Sequence, residues 1–442
     1  MEPQGAGHRQ NGMRNELRIT AGVAVAALVA AGCGSAPAVR PPPPPLVISR
    51  GVAAREPTVN PRPYGAADTA FGLDVLSALC RADLRGNLLL SPASLATGLG
   101  MAYLGARGST ARAMAGVLHL PAAGGQALEA GLQARSAALR GLDSPGVTAS
   151  GSDQVWADPS LRTLRSYLNA VATGYGAGVR RVPLLHNPGQ AAQQINSSIA
   201  AATRGQIPRL LSPDSLSGIG WVLTDALYLH AAWATPFQAS QTSAGPFTTA
   251  AGHRISVKFM HGGDFRTTSA GGWTAVSLPY RGGKLAMVAL LPASGAAGCP
   301  MPPVAALRAI TARLTPRGNA SLPGAPTSQD AIALPKVSLS SRIGMKGLLS
   351  RLGMGIAFSP AADFAGLSPQ ACCIGLVQQA ATLRVGEKGT VASAATAVGL
   401  APTAVRLPVR QIVFDRPYLL LVTDTATGEP LFLARVASPA AP

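Results

Sequence analysis

The sequence is short of aromatic residues, of lysine and of charge. Aromatics make up 5% and charged residues 13% of the 442 residues, the latter well below the usual quarter. A core must therefore be built from Ala, Val and Leu. Only five of the 37 basic residues are lysine (Lys258, Lys284, Lys336, Lys346, Lys388), leaving 32 arginines. The five cysteines (Cys33, Cys80, Cys299, Cys372, Cys373) have neither zinc nor redox spacing. The six histidines form no HExxH, and GxSxG is missing. The stretch "GLGMAY" (98–103) breaks the dinucleotide fingerprint at its last position. No pairing of general base and nucleophile, no metal site and no cofactor site can be read, so nothing points to an enzyme. The arginines are scattered and no aromatics interleave with them, which argues against a nucleic-acid module. The net charge is +18. Arginine in place of lysine, among so much Ala and Gly, is what GC-rich coding produces; attraction to an anionic surface or polyanion is the alternative.

Long hydrophobic runs are also missing, except at the start. "MRNELRITAGVAVAALVAAGC" runs from Met13 to Cys33. Arg14 and Arg18 make a basic n-region, and Ile19 to Ala31 is an apolar run too short to span a bilayer stably. This predicts a signal peptide over residues 1–33. Its "AAGC" end resembles a bacterial lipobox, which implies cleavage before Cys33 and a lipid on its thiol, although Ala30 stands where that motif prefers Leu. The alternatives are plain secretion and an uncleaved anchor. Residues 34–63 follow with five consecutive prolines (Pro41 to Pro45) and are expected to be a tether stiffened by polyproline II. The expected location is outside the cytoplasm, with membrane contact only through a lipid on Cys33.

From Tyr64 to Pro439 no linker-like break occurs, so one large domain is expected. Asp68 to Leu84 has helical spacing, with Cys80 as a small core residue. Ser91-Pro92 opens another helix, serine as N-cap and proline at the first position. Ala122 to Gly151 is a Gly/Ala-rich stretch without a clear element. "GWVLTDALYLHAAWATPF" (220–237) is a long strand. "SRIGMKGLLSRLGMG" (341–355) is expected to be helical, and Cys299 to be free in a loop. Two strands joined by "TATG" close the chain. Helices dominate early and strands late, an α+β pattern.

Seven blocks in this order resemble the serpins, inhibitors of serine proteases: "NLLLSPASL", "YLGARGSTARAMAGVL", "INSSIAAATRGQIPRLL", "LTDALYLHAAWATPF", "LPKVSL", "LGMGIAFSPAADFAGLS" and "DRPYLLLVTDTATGEPLFLARVASP". Together they cover Asp68 to Pro439. The resemblance implies the serpin fold, with a large mixed main sheet, further sheets, about eight to nine helices and an exposed reactive centre loop near 387–410. It implies a suicide substrate: a protease cleaves the loop, whose N-terminal part then enters the main sheet as a new central strand. The implied partners are serine proteases, the implied state a monomer, and no cofactor is implied.

In that light "GEKGTVASAATA" (386–397) resembles the loop's hinge: Glu387, Lys388, Gly389, Thr390, Val391, Ala392, Ser393, Ala394, Ala395 and Thr396. A strand entering a sheet must fit on both faces. Thr390, Ala392, Ala394 and Thr396 would share one face, and Val391, Ser393 and Ala395 the other. All are uncharged and small, as a close-packed interior requires. About 14 residues at ~3.3 Å each would span roughly 45 Å. The family's hinge-to-bond spacing, counted from Gly389, places the scissile bond at Thr403-Ala404, which suits an elastase-like or subtilisin-like protease. Counting back from Pro417 gives Arg406-Leu407, which suits a trypsin-like one. Trp233 matches the tryptophan at the top of the main sheet. The family's shutter joins two serines to an asparagine and a histidine. Here those positions carry Ser91, Ser94, Asp225 and Gln379, and a buried Asp costs more than Asn unless well paired. That departure keeps a non-inhibitory binding or scaffold protein open, and cross-class inhibition of cysteine proteases is a further alternative.

Overall fold

The structure is a computed structural model and describes residues 46–293, 298–314, 328–390 and 410–439. The first third of the chain gives β1 (Val47–Ser49), α1 (Arg62–Ala82), β2 (Leu88–Leu90), α2 (Pro92–Tyr103), α3 (Gly108–Val117) and α4 (Gly125–Arg140). The middle gives β3 (Val147–Gly151), β4 (Gln154–Ala157), α5 (Arg165–Tyr175), β5 (Val179–Arg181), α6 (Pro188–Ala202), β6 (Trp221–Ala232), β7 (Ser243–Thr248), β8 (Arg254–Ala270), β9 (Trp273–Pro279) and β10 (Leu285–Pro292). The rest is α7 (Val304–Leu314), β11 (Ser328–Pro335), β12 (Val337–Gly344), α8 (Lys346–Leu349), β13 (Leu376–Gly386), β14 (Gly389–Thr390), β15 (Gln411–Val413), β16 (Tyr418–Asp424) and β17 (Pro430–Val436). This is the α+β architecture the sequence predicts.

The strands form two sheets. The main sheet runs β1-β5-β4-β6-β14-β13-β12, with β3 also on β6. The second runs β15-β11-β8-β9-β10-β16-β17-β2, with β7 on β8. Alternation along the central strand β6 decides what covers each face. Leu227 and Leu229 point inward, into a core shared with second-sheet residues such as Val276, Met287 and Phe432. Val222 and Ala226 point outward and pack, with Ala380 of β13, under Ile195 and Ile199 of α6. Helix α2 starts as predicted: Ser91 Oγ accepts from the Ser94 N–H at 3.3 Å, and Pro92 opens the helix.

Four expectations need correction. The chain is bound to the body well before residue 64. Strand β1 pairs antiparallel with β5, and the N–H groups of Val52, Ala54 and Glu56 donate to Asn169, Thr173 and Gln133 at 2.9, 2.9 and 3.2 Å. This hold uses backbone groups and distant polar side chains, so it leaves no apolar periodicity to read. The Gly/Ala-rich stretch contains α4, whose inward positions are Leu128, Leu132 and Arg135; a buried arginine breaks the apolar stripe that would have marked it. Ser341 to Gly344 extend β12 rather than a helix, because its pairing with β13 runs on to Gly344↔Gln378. Finally, Cys80 and Cys299 form a disulfide across 219 residues, while Cys372 and Cys373 are free. At that separation sequence spacing carries no pairing signal.

The disulfide ties α1 to the segment before α7, and a cross-link closing so long a loop restricts the unfolded chain strongly. Replacing both Cys80 and Cys299 by alanine should lower the unfolding free energy by about 2–5 kcal/mol. The check is the urea midpoint of the variant against the oxidised parent chain.

Candidate functional site

The site lies along the seam between β6 and β13. Its lower part is closed. The two strands pair directly and in parallel from Leu376↔Val222 to Ala381↔Leu227. Above that level they part, and β14 stands between them. Gly389 pairs with Ala232 and Thr390 with Ala231 on one side, and with Gly386 and Val385 on the other, antiparallel to both. The first two residues beyond the charged pair of the hinge are thus already a strand of the main sheet. Beside them a cleft of about 780 Å³ is lined by Tyr228, His230, Ser338, Arg384 and Gly389, among others.

The described residues of the expected hinge, Glu387 to Thr390, are held for reasons the local chemistry supplies. Gly389 has φ +145°, and an added Cβ would collide with the carbonyl oxygen of Ala231, so only glycine fits. Thr390 is fully buried, and its hydroxyl bonds that of Tyr280 at 2.6 Å. Burial pushes the Tyr280 phenol up despite this hydrogen bond, so it stays protonated. Trp233 stacks on Tyr280 with ring centroids 4.5 Å apart. Its indole N–H donates to the Gly386 carbonyl at 2.9 Å and its backbone N–H to that of Lys388 at 3.0 Å. Glu387 pairs with Lys336 at 3.0 Å and accepts from Thr242 at 3.0 Å. Partial burial raises its carboxyl, but the hydrogen bonds and the Lys336 charge outweigh that and hold it below the usual range.

The residues expected to form the shutter also meet. Asp225 and Gln379 lie directly opposite each other across the seam. The Gln379 amide donates to Asp225 Oδ2 at 2.6 Å and to the Ser91 carbonyl at 2.9 Å, and it accepts from the Ser91 N–H at 3.2 Å. Ser94 Oγ bonds Asp225 Oδ1. The N-terminus of α2 thus grips both strands at the level where they are still joined.

A family model described as "Serpin (serine protease inhibitor)" matches residues 66–439. The chain is a serpin. A leukocyte elastase inhibitor of Bos taurus is 30% identical over 391 residues, covering 85% of this chain and 99% of that protein. An uncharacterized serpin-like protein of Thermococcus kodakarensis is 30% identical over 384 residues, 86% of each chain. The crystal structure of Serpin48 from the insect Tenebrio molitor shares the fold with a TM-score of 0.70 at 24% identity, covering 85% of this chain and 98% of that one.

Of the serpin positions expected from the sequence, Ser91, Ser94, Asp225, Gln379, Trp233 and the hinge from Glu387 to Thr390 are brought together as described. Val391, Ala392, Ser393, Ala394, Ala395 and Thr396, both candidate bonds (Thr403-Ala404 and Arg406-Leu407) and Cys33 lie outside the described residues. Sequence reasoning missed two residues. Tyr280 stands in an ordinary alternating strand, with no signal that it would meet the hinge. Asp153 sits at the junction of β3 and β4, and its carboxyl also reaches Ser94 Oγ. A lone aspartate after "GS" carries no mark of that position.

Gly389→Ala tests the docking of the hinge. The clash and the positive φ should cost on the order of 1–3 kcal/mol locally and expel β14 from the sheet. Amide hydrogen exchange should then show protection lost at Thr390, with the circular dichroism of the folded body unchanged.

Proposed function

We propose that this serpin is a suicide-substrate inhibitor of serine endopeptidases, acting by insertion of its cleaved loop between β6 and β13. The observation that carries this reading is β14: the hinge already occupies the top of the seam, antiparallel to both neighbours. From Thr390 to Val405 the following sequence has no charged residue, so it can continue along the same path. Continuing the register of β14 without a bulge would bring Thr396 between Asp225 and Gln379, on the face that Thr390 shares. The Gln379–Asp225 bond must open for that strand to pass. Insertion exchanges one short parallel ladder for two antiparallel ones, and the antiparallel pairing is the more stable per residue. The protease does the chemistry on its own nucleophile; the inhibitor supplies the bait and the driving force, and insertion must outrun hydrolysis of the acyl-enzyme.

The favoured bait is Thr403-Ala404, for an elastase-like or subtilisin-like enzyme, consistent with similarity to a protein named leukocyte elastase inhibitor. Arg406-Leu407, for a trypsin-like enzyme, is the alternative. From the signal-like N-terminus and Cys33 we further propose that the chain works outside a bacterial cytoplasm, held by a lipid. The Cys80–Cys299 disulfide accords with an oxidising compartment.

The test mixes the chain from Gly34 onward with each of the three protease types. An SDS-stable band at the summed mass is expected with at least one. The released C-terminal peptide should begin at Ala404, or at Leu407 under the alternative. Clean cleavage by all three with no such band, and no rise in melting temperature of the cleaved chain, would refute insertion and leave a non-inhibitory serpin.

A further inference from the structure

Ser94 has one hydroxyl hydrogen, and two carboxyl groups bond the same oxygen. Asp153 Oδ1 and Asp225 Oδ1 both lie within hydrogen-bond reach of Ser94 Oγ. The hydroxyl can donate to one of them only. The other must bring a hydrogen of its own or face the lone pairs of Ser94 as an anion. We infer that Asp153 is a fifth member of the shutter, that it and Asp225 share one proton through Ser94, and that loss of this proton loosens the β6 side of the seam. This rests on the insertion reading only for its consequence; the shared proton stands on geometry alone.

Burial and the mutual repulsion of the two carboxyls favour holding that proton, against the pull of Arg135. From α4, Arg135 reaches toward Asp153 but is already engaged by Asp68 of α1 at 2.6 Å and Glu429 at 2.7 Å. One buried guanidinium therefore serves three carboxyl groups, Asp68, Glu429 and Asp153. Tyr64 of α1 and Tyr175 of α5 are the other titratable groups of this interior, and burial keeps both protonated. Strand β13 contributes the neutral Gln379, and α2 contributes only serines. Arg50, Arg140 and Arg180 line, with Asp153 and Ser94, a cavity of about 450 Å³, which gives the proton a route to water.

The titration follows. Partial burial pushes the half-buried Asp153 up to about 7 against the opposing pull of Ser94 and Arg135. Burial, and then the Asp153 charge, raise Asp225 well above the usual range. A carboxyl raised in the folded state stabilises that state fully below its ordinary value, and the stabilisation is lost as pH rises through the raised one. For Asp153 the loss runs from the ordinary carboxylate range up to about 7 and is complete just above it. Once both carboxyls have ionised, Asp153 first and then Asp225, two negative charges flank Ser94. One of them is on β6, directly at the bond that insertion has to break.

The experiment follows the melting temperature of the uncleaved chain from pH 5 to pH 8.5, beside Asp153→Asn and Asp225→Asn. Either amide donates to Ser94 at every pH, so one folded variant suffices. The parent should lose about 2 °C more between pH 6 and pH 8 than the variants do. This comparison cancels the histidines and Glu429, and it needs neither protease nor loop. A second readout is the rate of covalent complex formation. Relative to Asp153→Asn, it should rise up to about tenfold over the same range. Equal melting profiles for parent and variants would overturn the shared proton, whatever the inhibition assays show. A melting difference without a rate difference would overturn its link to the seam.

Discussion

Everything in this serpin turns on a six-residue parallel ladder, Val222–Leu227 against Leu376–Ala381. It is a parallel join at the centre of the main sheet. Parallel pairing is slightly poorer per residue than antiparallel, and this segment is flanked above by strands that have already separated around β14. A central position is an unusual place for a pairing to break off, because edges are where pairing normally runs out. Here the weakness lies where a complementary segment of the same chain could fill it.

The seam holds because it is gripped from both faces. From inside, the N-terminal turn of α2 binds Gln379 of one strand and Asp225 of the other. From outside, Ile195 and Ile199 of α6 lie on Val222, Ala226 and Ala380, residues contributed by both strands. Opening the sheet must therefore break buried hydrogen bonds on one side and move a helix on the other. Both costs fall at one level of the seam, which makes opening a cooperative event. Buried polar bonds suit such a lock, because each is costly to leave unmade.

Part of this was legible because some single residues carry local marks. A Ser-Pro helix start and a run of small uncharged side chains each leave a local mark; Ser91 is read from the first, while Gly389 and Thr390 are reached through the resemblance to the serpin hinge. What escaped was held by partners far away. Cys80 meets a cysteine 219 residues on. Arg135 is buried only because Asp68 and Glu429 come to it from the two ends of the domain. The segment after Leu46 is secured by side chains of α4 and α5, and Asp153 gains meaning only when α2 and β6 bring Ser94 and Asp225 to it. None of these contacts has a period or a motif.

The altered shutter shows why the substitutions at 225 and 379 belong together. Glutamine can donate and accept with one amide, and Gln379 uses both capacities: it accepts from Ser91 N–H and donates to Ser91 O and to Asp225. A donor fixed on the seam in this way needs an acceptor opposite, and a carboxyl oxygen is a better acceptor than an amide carbonyl because it carries charge. The aspartate satisfies Gln379 but brings a second oxygen, turned toward Ser94, with nothing cationic to meet it. Arg135 is already committed to Asp68 and Glu429. The mismatch is resolved most cheaply by hydrogen rather than by charge: one proton lets Asp153, Ser94 and Asp225 form an unbroken chain of donors and acceptors. The exchange of an amide for an acid at one position thus changes what the lock responds to, while leaving its geometry in place.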